Sequence, residues 1–168
     1  FEKAQQAGEA VVVITLSSNF SGTYQSANIA KSMVEYDEIY IVDSGAVSHM
    51  IGLLARYADQ LRNNGLSAPE IVEKLQQVRQ RQVLFAGLQT LEYLQKGGRV
   101  SKALAFAGGL LNIKPVLSVE NGEIHILGKA RGSKQGNNLL ISEIQKAGGV
   151  DFSKPLMLGY TGLSDVLL

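Results

Sequence analysis

The sequence predicts an α/β fold in two lobes: a parallel-sheet α/β lobe followed by an α+β lobe with an antiparallel sheet. Three observations predict it. Two apolar runs, Ala10–Leu16 and Ile39–Val42, are separated by a helical pattern, the order of a parallel sheet with helices packed on it. The pattern changes near Gln82, and two later apolar runs flank Asn121-Gly122, a strong two-residue hairpin signal. The chain has 168 residues, 45% of them hydrophobic, which is enough to bury a sizeable core. The boundary is placed at about residue 80, giving residues 1–80 to the first lobe and residues 81–168 to the second.

Each element has its own signal. Ala10–Leu16 is rich in β-branched residues and reads as a buried strand. Ser17–Gly22 is a polar loop of small residues. From Ser21 the period becomes helical, with Tyr24, Ala27, Ala30, Met33 and Val34 on one face. Ile39–Val42 is a second strand. Val47, Met50, Ile51, Leu54, Ala55, Ala58 and Leu61 form a helical stripe that Asn63-Asn64-Gly65 ends. Ser67 and Glu70 have capping-box spacing ahead of Ile71, Val72, Leu75 and Val78. Val83–Leu88 reads as a strand, and Leu91–Lys96 as a short helix stopped by Gly97-Gly98. Ser101 is placed to cap another short helix, through Ala107. Ile113–Glu120 and Glu123–Gly128 are the hairpin strands. A helix over 133–147 places Leu140, Ile141, Ile144 and Ala147 on its apolar side, and Leu156–Tyr160 reads as a final strand.

Composition excludes several function classes. Lys and Arg number 16 and Asp and Glu 15, a net charge of +1, which supplies no electrostatic footprint for nucleic acid or an anionic membrane surface. Runs such as Ala10–Ile14 are far too short to span a bilayer. There is no Cys, which excludes disulfides, thiolate zinc sites and Cys nucleophiles. The two His residues, His49 and His125, stand at no metal-ligand spacing. The chain opens on Phe1 in what reads as the tail of a helix and stops at Leu168 within an apolar phrase, so residues are expected to be missing at both ends. No secretory leader precedes Val11, and a cytoplasmic location is expected.

The first candidate site is the loop Ser17-Ser18-Asn19-Phe20-Ser21-Gly22-Thr23. It stands at the carboxyl end of a predicted parallel strand, where open α/β sheets bind ligands. It also opens a helix, whose unpaired N–H groups suit an anion. The alternative is that Ser21 merely caps the helix while Ser17 and Ser18 make turns. A second candidate is the pair of basic phrases around Arg99 and Arg131, since Arg holds carboxylate or phosphate bidentately; the competing reading is two solvated loop residues. Asp43 is placed to cap the next helix. A hydrolytic triad of Ser18, His49 and Asp43 can be drawn, but the nucleophile-elbow pattern is absent. His125 reads as an edge or surface residue.

Five phrases resemble one family. Leu16–Ala27, LSSNFSGTYQSA, is similar to SSxLSGTYQSA. Tyr40–Ser44, YIVDS, resembles a VVDS strand end. Thr90–Ser101, TLEYLQKGGRVS, resembles TLEYLKKGGRIS. Leu111–Leu117, LNIKPVL, resembles LLNIKPIL, and Lys129–Gly132, KARG, resembles KxRG. On these, from about Ala10 to Leu140, the chain resembles the DegV family, bacterial fatty-acid-binding proteins that serve as the binding subunit of fatty acid kinase.

The resemblance implies a long-chain fatty acid held between two lobes, its tail in an apolar tunnel. It implies no catalytic residue and no cofactor, the fatty acid being the bound ligand. The carboxylate would sit at Ser17 and Ser18, in a loop shaped by Ser21 and Gly22. Arg99 and Arg131 match the basic positions near the carboxylate and on the kinase-docking face. The partner kinase would supply ATP and form the acyl phosphate. The competing function is a hydrolase or phosphotransferase using the Ser17-Ser18 loop. Tunnel lining is expected from Phe85, Leu88, Leu104, Phe106, Leu110 and Leu111. An upstream Thr-Ser segment of the family has no counterpart here, and neither His49 nor His125 matches a His near its C-terminus.

Overall fold

A computed structural model describes residues 1–100 and 112–161. The first lobe opens with helix α1 (Glu2–Ala7), then strand β1 (Val11–Thr15), helix α2 (Thr23–Ser32), strand β2 (Ile39–Asp43), helix α3 (His49–Asn63) and helix α4 (Ala68–Arg79). Strands β1 and β2 pair in parallel, with Val11 opposite Ile39 and Thr15 opposite Asp43. Strand alternation turns Val12, Ile14 and Val42 toward α3 and α4. There they meet Leu54, Leu61, Ile71 and Leu75 in one cluster, with Leu54 and Leu75 essentially sealed from solvent. Truncating either Leu to Ala costs about 2–5 kcal/mol in such a setting. The strand β1 is half-buried rather than fully buried, apart from Thr15. Two strands share this sheet among the described residues.

Helix α4 starts as its sequence predicts. Glu70 accepts from the Ser67 backbone N–H at 2.8 Å and from its hydroxyl at 2.6 Å, and Pro69 sits in the first turn.

The second lobe contains strand β3 (Leu84–Gly87), helix α5 (Glu92–Lys96), strand β4 (Ile113–Glu120), strand β5 (Glu123–Arg131) and helix α6 (Ser133–Lys146). The strands pair antiparallel in the order β3-β4-β5. The β4–β5 turn is Asn121-Gly122, both with positive φ (50° and 78°), the requirement of a type I′ hairpin. A bulge between Val116 and Leu117 leaves Leu127 unpaired. One face of this sheet meets α6: Leu140 lies on Gly87, and Leu139 lies so close to Gly128 that a Cβ there would clash. On the other face Leu117 and Val119 cluster with Leu91, Leu84, Leu88 and Leu94.

Three expectations need correction. Leu156–Tyr160 forms no strand; no described strand pairs with it, and Leu158 is 86% exposed. On α6, Ile141 is exposed, and Leu139 takes its place against the sheet because the glycine at 128 admits it. On the α2 stripe, Ala30 and Met33 are exposed. The expected short helix from Ser101 lies outside the described residues. Among the described residues, no helix is long and apolar enough to cross a membrane.

Candidate functional site

Parallel pairing of β1 and β2 sets their carboxyl ends side by side. The loops that follow, 16–22 and 44–48, therefore touch. Ser17 donates its backbone N–H to the Ala46 carbonyl at 3.0 Å. Its side chain is 1% exposed, and its oxygen accepts the Asn19 N–H at 3.3 Å. Ser44 is also buried and accepts the Ala46 N–H at 3.0 Å.

Asp43 ties the two loops together. Its Oδ2 accepts the Ser18 hydroxyl at 2.6 Å. Its Oδ1 accepts the N–H of Ser18 at 3.2 Å and of Gly45 at 3.0 Å. Partial burial pushes the Asp43 carboxyl up. The Ser18 hydroxyl, the two N–H donors and the Arg79 guanidinium outweigh that and hold it below the ordinary carboxylate range. Arg79, at the end of α4, also donates to the Asp43 carbonyl. Asp43 is thus not the helix cap that its position suggested; Ser48 precedes α3, and Asp43 instead serves the serine loop.

The loop's own donors are largely occupied. Phe20 and Ser21 give their N–H groups to the Ser17 carbonyl at 3.0 and 3.1 Å. The Ser21 oxygen accepts the Thr23 N–H at 3.2 Å, while Gly22 holds the position just before α2. The Ser18 side chain remains exposed to a ligand.

The second lobe closes over this loop. The hairpin tip rests on it: a Cβ on Gly122 would lie 2.5 Å from Ser17 Oγ and 3.1 Å from Asn19 Nδ2. Only glycine allows that approach, and it also supplies the positive φ. Arg99 donates to the Phe20 carbonyl at 3.0 Å and to the Gly97 carbonyl. Phe20 and Val47, from the two loops, insert into the apolar cluster of the antiparallel sheet. Between the lobes lies an open cleft of about 630 Å³, lined by Asn19, Phe20, Arg99, Gly122, Glu123 and Ile124 among others.

The predicted residues fall into three groups. Ser17, Ser18, Ser21, Gly22 and Arg99 come together around the loop. Arg131 does not: it ends β5, eight residues beyond Glu123, roughly 25 Å along the strand from the hairpin tip. It is exposed. His49 bonds Ser48 at 3.0 Å, while Ser18 and Asp43 bond each other directly, so no histidine bridges them as a triad requires. His125 is exposed on the edge strand β5, as expected. Of the expected tunnel residues, Leu88 packs with the cluster under the first lobe, and Phe85 alternates with Leu84 and Ala86 onto the α6 side. Leu104, Phe106, Leu110 and Leu111 lie outside the described residues. Among the described residues no group of acidic or His side chains is placed to hold a metal ion. Sequence reasoning missed the Asp43–Ser18 bond and the Arg79 contact. The adjacent ends of two parallel strands were the signal available for the first.

Two lobes, one parallel and one antiparallel, meeting over a hydroxyl-rich loop define a two-lobed α/β protein with a cleft at its sheet edge. More particularly, the chain belongs to the DegV family, described as uncharacterised proteins, whose profile matches residues 1–165. A fatty acid-binding protein of Thermotoga maritima is 39% identical over 141 residues, covering 82% of this chain and 48% of that protein. A stearic acid-binding protein of Eubacterium ventriosum superposes with a TM-score of 0.78 at 30% identity, over 87% of this chain and 51% of that one. The fatty acid kinase B3 protein of Streptococcus pneumoniae, loaded with linoleic acid, gives a TM-score of 0.74 at 32% identity, over 88% and 55% of the two chains. The chain spans about half the length of the curated relatives it matches.

Proposed function

We propose that this protein binds a long-chain fatty acid between its two lobes and presents the carboxylate to a partner kinase for acyl-phosphate formation. The observation that carries the reading is the serine loop at the inter-lobe cleft, in a fold shared with proteins described as binding stearic and linoleic acid. Physical chemistry supports it. Each buried CH₂ is worth about 0.8 kcal/mol, so a long tail supplies most of the affinity. The head group needs hydrogen bonds, because a buried carboxyl without partners is costly. In this reading Ser17, Ser18, Ser21 and Gly22 form the head-group loop, with Ser18 making the contact. Arg99 stands beside it, and the distant Arg131 belongs to the kinase-docking face. The lobe boundary falls near residue 80. The protein itself breaks no bond and uses no cofactor; the kinase, in the cytoplasm, supplies ATP.

The test is reconstitution with the catalytic subunit of fatty acid kinase, ATP and oleate. Acyl phosphate is expected when both proteins are present and not with either alone. Acyl phosphate formed at the same rate without this protein would remove the presenting role.

A further inference from the structure

Ser18 is exposed, yet its hydroxyl proton is already committed. The 2.6 Å separation from Asp43 Oδ2 is that of a charge-assisted O–H···O⁻ bond. An ionised carboxylate accepts only, so the hydrogen between the two oxygens belongs to Ser18. Asp43 cannot turn away easily, because two backbone N–H groups hold its other oxygen. What Ser18 Oγ offers a ligand is therefore a pair of acceptor sites. A group docking there must bring a hydrogen, which a carboxylate lacks and a carboxylic acid has.

The charges around this pair do not reverse the argument. The elements packed on β2 are β1, α2, α3 and α4. Strand β1 carries no titratable side chain. On α2 the titratable side chains are Tyr24 and Lys31, and Lys31 bonds the Ile39 carbonyl at the opposite end of β2. On α4, Glu70, Glu73 and Lys74 are exposed, and Arg79 is engaged with Asp43 itself. On α3, His49 is taken up with Ser48, Arg56 is exposed, Tyr57 packs on the core cluster, and Asp59 and Arg62 pair with each other at 2.7 Å. Arg99 and Glu123 line the neighbouring cleft with opposite signs. Arg79 offsets the Asp43 charge, so the demand for a hydrogen on the docking group rests on the lone pairs that Ser18 Oγ presents while its own hydrogen is held by Asp43.

Resting on the fatty acid reading above, we infer that the head group docks on Ser18 as a carboxylic acid that shares one proton with Asp43. Binding then takes up about one proton near neutral pH, because a free alkanoic acid, like Glu, is ionised there. Asp43 acts through Ser18 and is a positioning residue.

The experiment is calorimetric titration of delipidated full-length protein with oleate, in buffers of differing ionisation enthalpy. The expected result is uptake of about one proton per oleate and an apparent Kd that rises about tenfold per pH unit above neutrality. Oleyl alcohol, which donates without a charge, is expected to bind with a flat pH profile. Asp43→Asn is expected to bind oleate with little proton uptake and a flat profile. The wild-type values decide the matter should that variant misfold. Oleate binding without proton uptake, or oleyl alcohol following the oleate slope, overturns the shared proton and leaves fatty acid binding intact. Failure of the wild type to bind oleate overturns both.

Discussion

Gly122, at the tip of the β4–β5 hairpin, lies so close to Ser17 that a Cβ at position 122 would stand 2.5 Å from the serine oxygen. The hairpin of one lobe is thereby seated on the candidate head-group loop of the other. The turn sequence serves two ends at once: Asn121-Gly122 sets the hairpin register, and its glycine admits the neighbouring lobe.

Gly122→Ala meets both constraints. The positive φ costs about 1–2 kcal/mol for a residue with a Cβ, and the contact with Ser17 must open further. The variant is expected to lower the urea midpoint and weaken oleate binding together. A variant with wild-type stability and affinity would show that the loop and the tip are not tightly seated.

Ser18→Ala removes the exposed hydroxyl while leaving Ser17 and the backbone bonds of the loop in place. A lost hydrogen bond between charged or polar partners is worth about 1.4 kcal/mol, or tenfold in affinity. Oleate binding is expected to weaken by about that factor, measured by fluorescence displacement. Unchanged affinity together with unchanged acyl-phosphate formation would count against Ser18 as the head-group contact.

Arg131 sits far along β5 from the loop and is exposed. Arg131→Ala is expected to reduce acyl-phosphate formation with the kinase several-fold while oleate affinity holds. Equal loss of both would sink the docking assignment.

Glu70 gives a pH signature of stability. The hydroxyl and N–H of Ser67 hold its carboxyl below the ordinary value of 4.5. Its contribution is therefore complete above that ordinary value and is lost as pH falls through the depressed folded value. Glu70→Gln is expected to be less stable at neutral pH and to lose less on acidification, read from thermal melts across the acid range. An acid limb identical to that of wild type would show that the cap carries no charge-dependent part. Separately, Ser67→Ala is expected to cost about 1 kcal/mol, the usual worth of an N-cap.

Much of this fold was legible because its signals are local. The capping box at Ser67, the I′ dipeptide at Asn121 and the stripe through Leu54 and Leu61 each decide a structure from a few neighbouring residues. The misreadings are cases where a partner distant in sequence decides. Leu156–Tyr160 has strand-like residues but no described strand beside it. Ile141 has the right chemistry for the core, but Gly128 draws Leu139 there instead. Asp43 looks like a helix cap until parallel pairing puts Ser18 within 2.6 Å of it. The serine loop was visible as a motif; its hydrogen-bond polarity, with Ser18 presenting lone pairs, was not, because that depends on a carboxylate 25 positions away.

The most direct measurement is native mass spectrometry of the full-length protein as purified, followed by solvent extraction and lipid identification. The account predicts one fatty acid per protein, lost on delipidation and regained with oleate. A protein that carries no lipid, and takes up neither oleate nor palmitate, would keep this fold but contradict the proposed function.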